Sequence, residues 1–153
     1  MAVAVRVQLG AALSQQKVVV PDDAALRRLM ARAARAALRH DRVHEAELSV
    51  TLLDDDEISG MNRDFLDHAG PTDVISFALY DAGEAPVGDV YIGYEQACRQ
   101  AAAVRIPLSE ELVRLTVHGV LHVLGHDHHP DEQRFDSSMW VAQEQIVAKV
   151  ISQ

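Results

Sequence analysis

The 153-residue chain has no run of about 18 apolar residues, so no transmembrane helix is expected. Its N-terminus, MAVAVRVQLG, lacks a basic start followed by a continuous apolar block, and a secretory signal is therefore not expected. Cysteine is nearly absent. The single Cys98 rules out an internal disulfide framework and fits packing on a helix in a reducing cytoplasm. Basic residues are also scarce, 14 Lys and Arg against 23 Asp and Glu, for a net charge of −9. A chain so acidic can engage a polyanion only through a local basic patch. No linker, repeat or low-complexity stretch divides it, so residues 1–153 read as one domain.

What is present is alternation, then helical periodicity. Residues 3–9 alternate as a half-buried strand, and Lys17 to Val20 read as a short second strand or a continuation of the first. Pro21-Asp22-Asp23 opens a helix that runs to about His40. Ala46, Leu48, Val50 and Leu52 alternate as another strand. Asp54 and Glu57 have the spacing of a capping box, for a helix ending near Leu66. After a loop over 67–72, Val74 to Leu79 form a strand apolar enough to be central, paired with a strand over Val87 to Ile92. Helices follow over Tyr94 to Val104, over roughly 110 to 124 with Ser109 as its cap, and from Asp131 to Ile151. The helix over 110–124 is apolar on all sides and should be central and buried. The order β-β-α-β-α-β-β-α-α-α implies an α+β fold, a mixed sheet packed by helices. On the first helix Arg28, Arg32, Arg35 and Arg39 are spaced 4, 3 and 4, opposite Leu26, Met30, Ala33 and Ala37. This is the pattern of an ordinary amphipathic helix with a solvated side, and a contact stripe for phosphates is the alternative.

The stretch His118 to His128, HGVLHVLGHDH, concentrates the chemistry. His118 and His122 lie one turn apart and share a helix face. Gly125 can take the left-handed conformation that ends a helix, letting the chain turn and bring His128 back. Three neutral imidazoles at about 2.0–2.1 Å hold zinc with one position open for a water of lowered pKa, which is a hydrolytic arrangement. Nickel, copper and iron suit imidazole as well. The spacing matches H-E-x-x-H-x-x-G-x-x-H of zinc peptidases except at Gly119, where those enzymes carry the Glu base. That substitution disfavours a peptidase and leaves the metal cage intact.

HGVLHVLGHDH resembles the H-G-x-L-H-L-x-G-Y-D-H signature of the YbeY family of bacterial endoribonucleases. Two further blocks are similar to family segments: Met61-Asn62 with Gly70-Pro71-Thr72-Asp73-Val74-Ile75-Ser76-Phe77, and Gly88-Asp89-Val90-Tyr91-Ile92. The resemblance implies a metal-dependent, single-strand-specific endoribonuclease. It would act in ribosomal RNA maturation and ribosome quality control, with the small subunit as partner and the cytoplasm as its compartment. A non-catalytic ribosome assembly factor with a structural metal, or a zinc hydrolase of another class, stays open beside it. Two departures stand out. His126 replaces the family Tyr, and is expected to be a solvent-exposed substitute and not a fourth ligand. Leu66 occupies the place of a family Arg thought to engage RNA phosphate, with Arg63 one turn earlier as a possible substitute. Asp127, Asp73 and Asp89 are candidate outer partners of the histidines. Asp127 and Arg63 are the candidate catalytic groups beyond the metal and its water. Met139 and Trp140 follow the loop, Met139 as core filling or as a residue beneath the metal.

Ligand imidazoles must be neutral, and imidazole titrates near pH ~6.5. Metal content, measured by elemental analysis after dialysis, should fall between pH 7 and pH 5. Full retention at pH 5 would contradict an all-histidine cage.

Overall fold

The computed structural model describes residues 2–15, 18–127 and 137–153. Among the described residues four strands and six helices follow in the order β1 (Val3–Leu9), α1 (Ala11–Ser14), α2 (Asp23–His40), β2 (Ala46–Leu53), α3 (Asp55–Leu66), β3 (Val74–Ala78), β4 (Val87–Gly93), α4 (Tyr94–Val104), α5 (Leu108–Val123) and α6 (Ser138–Ile151). The expected α+β class with a mixed sheet is what the chain adopts. The sheet order is β1-β2-β4-β3, with β1, β2 and β4 parallel and β3 antiparallel to β4.

Several local expectations are corrected. The segment after β1 turns into the single-turn helix α1, and Val18 to Val20 form no strand; Lys17 lies outside the described residues. β3 is an edge strand, because among the described residues its other side meets no strand and only Ile75 along it is fully buried. α5 begins at Leu108 behind Pro107, whose extended backbone starts the helix without a side-chain cap, so Ser109 lies inside it. Proline suits this boundary because it cannot continue a preceding helix. α6 starts at Ser138, where the Ser137 hydroxyl accepts from the Trp140 amide; the expected start at Asp131 lies, with the rest of 128–136, outside the described residues.

Other features form where the residues dictate. The Asp54–Glu57 capping box closes reciprocally, with Glu57 N donating to Asp54 Oδ1 at 2.9 Å and Asp54 N to Glu57 Oε1 at 3.4 Å. Cys98 packs half-buried on α4 against the core, and burial pushes its thiol pKa up, which disfavours the reactive thiolate.

Period-2 alternation gives the sheet two faces. Leu48, Val50, Leu52, Val90 and Ile92 face the main core with Met30, Ala33 and Ala37 of α2, the apolar residues of α5, and Ile146 and Val150 of α6. Leu53 and Ile75 face a smaller cluster with Ile58 of α3. α5 is the central buried helix: Leu112, Val113, Val117, Val120 and Leu121 are fully enclosed. Each such side chain contributes roughly 1.5–3 kcal/mol by leaving water.

The approach of α5 to the sheet is set by Gly119. A Cβ there would lie 2.5 Å from Val90 Cγ1 and 3.2 Å from Ser76 Oγ and Val74 Cγ2. Without it the backbones come close enough for Ser76 Oγ to donate to Gly119 O at 3.0 Å. Gly119→Ala should destabilise the fold. Overpacking of roughly 1–3 kcal/mol outweighs the roughly 1 kcal/mol that alanine gains over glycine in a helix. Urea unfolding should show a lower midpoint; an unchanged or higher one would contradict this packing.

Candidate metal centre

The C-terminal end of α5 carries the histidines and ends as its glycine predicts. Gly125 sits at φ +96. Its N–H donates to His122 O at 3.0 Å, and His126 N–H donates to Leu121 O at 2.9 Å. These two bonds make a Schellman close, which satisfies carbonyls the helix leaves unpaired. The Tyr80 hydroxyl donates to Val123 O at 2.6 Å and satisfies a third. The helix end is therefore anchored just beyond His122.

His118 and His122 point at one place. Their Nε2 atoms are 3.1 Å apart, with the rings edge to face at 81°. Two ligands of a tetrahedral ion with bonds of about 2.0–2.1 Å stand about 3.3 Å apart, so the pair fits a shared cation. His128 lies outside the described residues, and among those described no cluster of three metal-ligating side chains is assembled.

The outer partner of His118 is Gln143 of α6, which none of the three aspartates anticipated. His118 Nδ1 lies 2.7 Å from Gln143 Oε1. Gln143 Nε2 donates to Glu144 Oε2 at 3.1 Å, which fixes the amide with its oxygen toward the imidazole. Nδ1 therefore carries the proton and Nε2 is the atom that would face a metal. Glu144 is gripped in turn by Arg114, through Nε and Nη2 at 2.9 Å each, and Arg114 Nη1 donates to Glu110 at 3.1 Å. Burial would raise the Glu144 pKa, but the hydrogen bonds from Arg114 and Gln143 hold it below the usual carboxylate value. Gln143 is 1% exposed, a polar side chain on the otherwise apolar face of α6 formed by Met139, Ala142, Ile146, Val147 and Val150. That interruption of an apolar stripe is the sequence signal that could have found it.

Two cavities meet at the histidines. A groove of about 420 Å³ runs beside β3, lined by Leu66, Asp73, Val74 to Ser76, Ala78, His118 and His122. A second cavity of about 310 Å³ opens between α4, α5 and α6, and shares Asp73 and His118 with the groove. Asp73 thus stands beside the histidine pair, at the head of β3, where its carbonyl accepts from Gly93 N at 2.9 Å. Asp89 is turned elsewhere: it sits beside Tyr91, whose pKa is raised by burial and then by the Asp89 charge. Asp127 is exposed, just past the Schellman close.

His126 faces away from the pair. Its Nε2 is 2.6 Å from Asp41 Oδ2 at the end of α2, and Asp41 also contacts His40 Nδ1 at 3.2 Å. It is a part-buried tie between the loop and α2, not an exposed substitute. Arg63 is exposed and paired with Asp64 at 3.1 Å, while Leu66 lines the groove. Met139 is buried in the core, and Trp140 lines the second cavity. Arg28, Arg32, Arg35 and Arg39 are all exposed on α2; Arg32 reaches Val150 O at 3.4 Å and Arg35 reaches Val3 O at 3.3 Å.

A mixed sheet backing a buried helix with two converging imidazoles defines an α+β protein with a candidate metal site. Comparison with known proteins narrows the class. The family model for endoribonuclease YbeY matches residues 11–151. Endoribonuclease YbeY of Pelotomaculum thermopropionicum is 43% identical over 128 residues, covering 78% of this chain and 83% of its own. That of Geobacillus kaustophilus is 40% identical over 127 residues (76% and 80%), and that of Micrococcus luteus 37% over 148 residues (91% and 90%). The chain belongs to the YbeY family of endoribonucleases. The solution structure of TM1509 from Thermotoga maritima shares the fold, with a TM-score of 0.65 at 23% identity over 97% of this chain and 89% of that one.

Losing an outer partner of a metal-bound imidazole typically costs 10- to 100-fold in metal affinity. Gln143→Leu should weaken metal binding by about that factor in competition with a chromophoric chelator, while the circular dichroism spectrum stays native. Unchanged affinity would mean that Gln143 does not orient His118.

Proposed function

We propose that this chain is a metal-dependent endoribonuclease that cleaves single-stranded RNA in the maturation and quality control of ribosomal RNA. It acts as one hydrolase domain over 1–153. The family is one of RNA-cleaving hydrolases. The observation that carries the reading in this chain is the 3.1 Å convergence of His118 and His122, with His118 held from behind by Gln143. His118, His122 and His128 are the proposed ligands and zinc the proposed ion. When bound, the ion polarises a phosphoryl oxygen or lowers the pKa of a water.

The chain's own residues set what happens around it. Gln143 keeps the His118 proton on Nδ1. Gly119 faces Val90 and leaves no room for a side chain, so no Glu base can stand between the histidines as in peptidases. Asp73 lines both cavities at the histidines and Asp127 follows them closely in sequence, and either can accept a proton there. The groove beside β3 has room for an extended strand. Phosphate contacts fall to Arg63, one turn from the Leu66 position, and to the exposed arginine stripe of α2, which is the proposed contact with the ribosomal small subunit. Among the described residues no helix is long and apolar enough to cross a membrane. The cytoplasm, where ribosomes are built, is the compartment this function requires.

The test is cleavage of a single-stranded RNA and a fully paired RNA by the metal-loaded protein, by the same protein with chelator, and by His122→Ala. Cleavage of the single strand alone is expected, lost with chelator and in the variant together with metal content. Equal cleavage by His122→Ala would assign the activity to a contaminant or to another site.

A further inference from the structure

The cavity between α4, α5 and α6 contains groups that holding a metal does not require. Glu111, on its wall, is a carboxyl only 7% exposed, and its hydrogen bond from Gln100 Nε2 is long, at 3.5 Å. Burial pushes its pKa up, and the Asp73 charge adds to this, against the hydrogen bond from Gln100 and the charge of Arg114. The other walls are apolar or aromatic: Val104, Ile106, Leu115 and Trp140.

The charge of the lining excludes some ligands. Asp73, Glu111 and Glu144 are set against one guanidinium, Arg114, which is already engaged by Glu144 and Glu110. Such a lining repels phosphate and admits an uncharged planar group with N–H donors. The cavity meets the histidine pair through Asp73 and His118, so a strand with its phosphate at the histidines has a neighbouring base within reach. Unstacked bases of single-stranded RNA are read in this manner, against an aromatic ring and through their Watson–Crick edge. Of the four bases only guanine presents two parallel N–H donors on that edge, which is the complement of a carboxylate.

We propose that this cavity is a nucleobase subsite that takes a guanine next to the phosphate held at the histidines, with Glu111 accepting from its N1–H and N2–H and Trp140 beside the ring. The proposal rests on the endoribonuclease reading for its substrate but is tested without cleavage. Trp140 is the chain's one tryptophan, so its emission reports on this cavity.

Titration of the metal-loaded protein with the four nucleoside 5′-monophosphates should change that emission. The guanine nucleotide should half-saturate at about tenfold lower concentration than the uracil one, the scale of one bidentate base contact. Glu111→Gln should abolish the difference while metal content stays at the wild-type level. Gln100→Ala, at a half-buried position, should reduce it and covers the case in which Glu111→Gln does not fold. Val104→Phe, at a residue 63% exposed, should narrow the cavity and weaken binding of all four nucleotides. Equal affinity for the four, no emission change, or a guanine preference that survives in folded Glu111→Gln overturns the subsite. If any of these occurs while the single-stranded RNA is still cleaved, the nuclease reading stands without it. Guanine discrimination with no RNA cleavage keeps the subsite and removes the nuclease reading.

Discussion

A helix packed into a core can carry imidazoles only if each ring nitrogen has a partner. A buried polar group left unmet costs about 1–3 kcal/mol. From Glu110 on, α5 is buried except along a half-buried stripe of Glu110, Arg114, His118 and His122, and the layout of the site follows from how these side chains find partners. The inner nitrogen of His118 is met by Gln143, which Glu144 and then Arg114 hold in place. The outer nitrogens of His118 and His122 are turned to a common point, where one cation would answer both. Placing charged or polar groups in a core is costly unless the network is complete. Here it runs from the cavity wall to the half-exposed ion pair of Arg114 with Glu110.

Close packing also decides which reaction the site can support. The contact of Gly119 with Val90 and Ser76 brings the helix onto the sheet and places the histidines beside the free edge of β3. The same contact occupies the place where a peptidase keeps its carboxylate base. One glycine therefore serves the fold by allowing approach and the chemistry by exclusion. A groove then remains on one side of the histidine pair and an acidic, partly aromatic cavity on the other, with Asp73 at their junction.

Much of this was legible in the residues, and the failures have physical causes. Long periodic segments identified themselves: α2, α3, α4 and the core of α5 fell where the apolar spacing put them. The Asp54–Glu57 box and the Gly125 turn formed as their local chemistry requires, since those bonds close within a few residues. Sheet order was not legible. β3 reads as apolar and central, yet it is an edge strand whose apolar residues are covered by α5 on one side and α3 on the other, so helices and not strands account for its composition. Val18 to Val20 are β-branched but follow a helical turn and pair with nothing. Gln143 and Asp41 escaped because their partners lie 25 and 85 residues away, on contacts that only the packing of α6 and α2 creates. His126 was read from its neighbours in sequence, whereas a carboxylate on α2 determines its direction.

The central claim is that His118, His122 and His128 hold one ion and leave a position to solvent. X-ray absorption at the metal edge of the metal-loaded protein reads that arrangement directly. The expected spectrum has three imidazole nitrogens at about 2.0–2.1 Å and one further light atom from water. A fourth imidazole, a sulfur ligand, or fewer than three imidazoles in the coordination shell would contradict it.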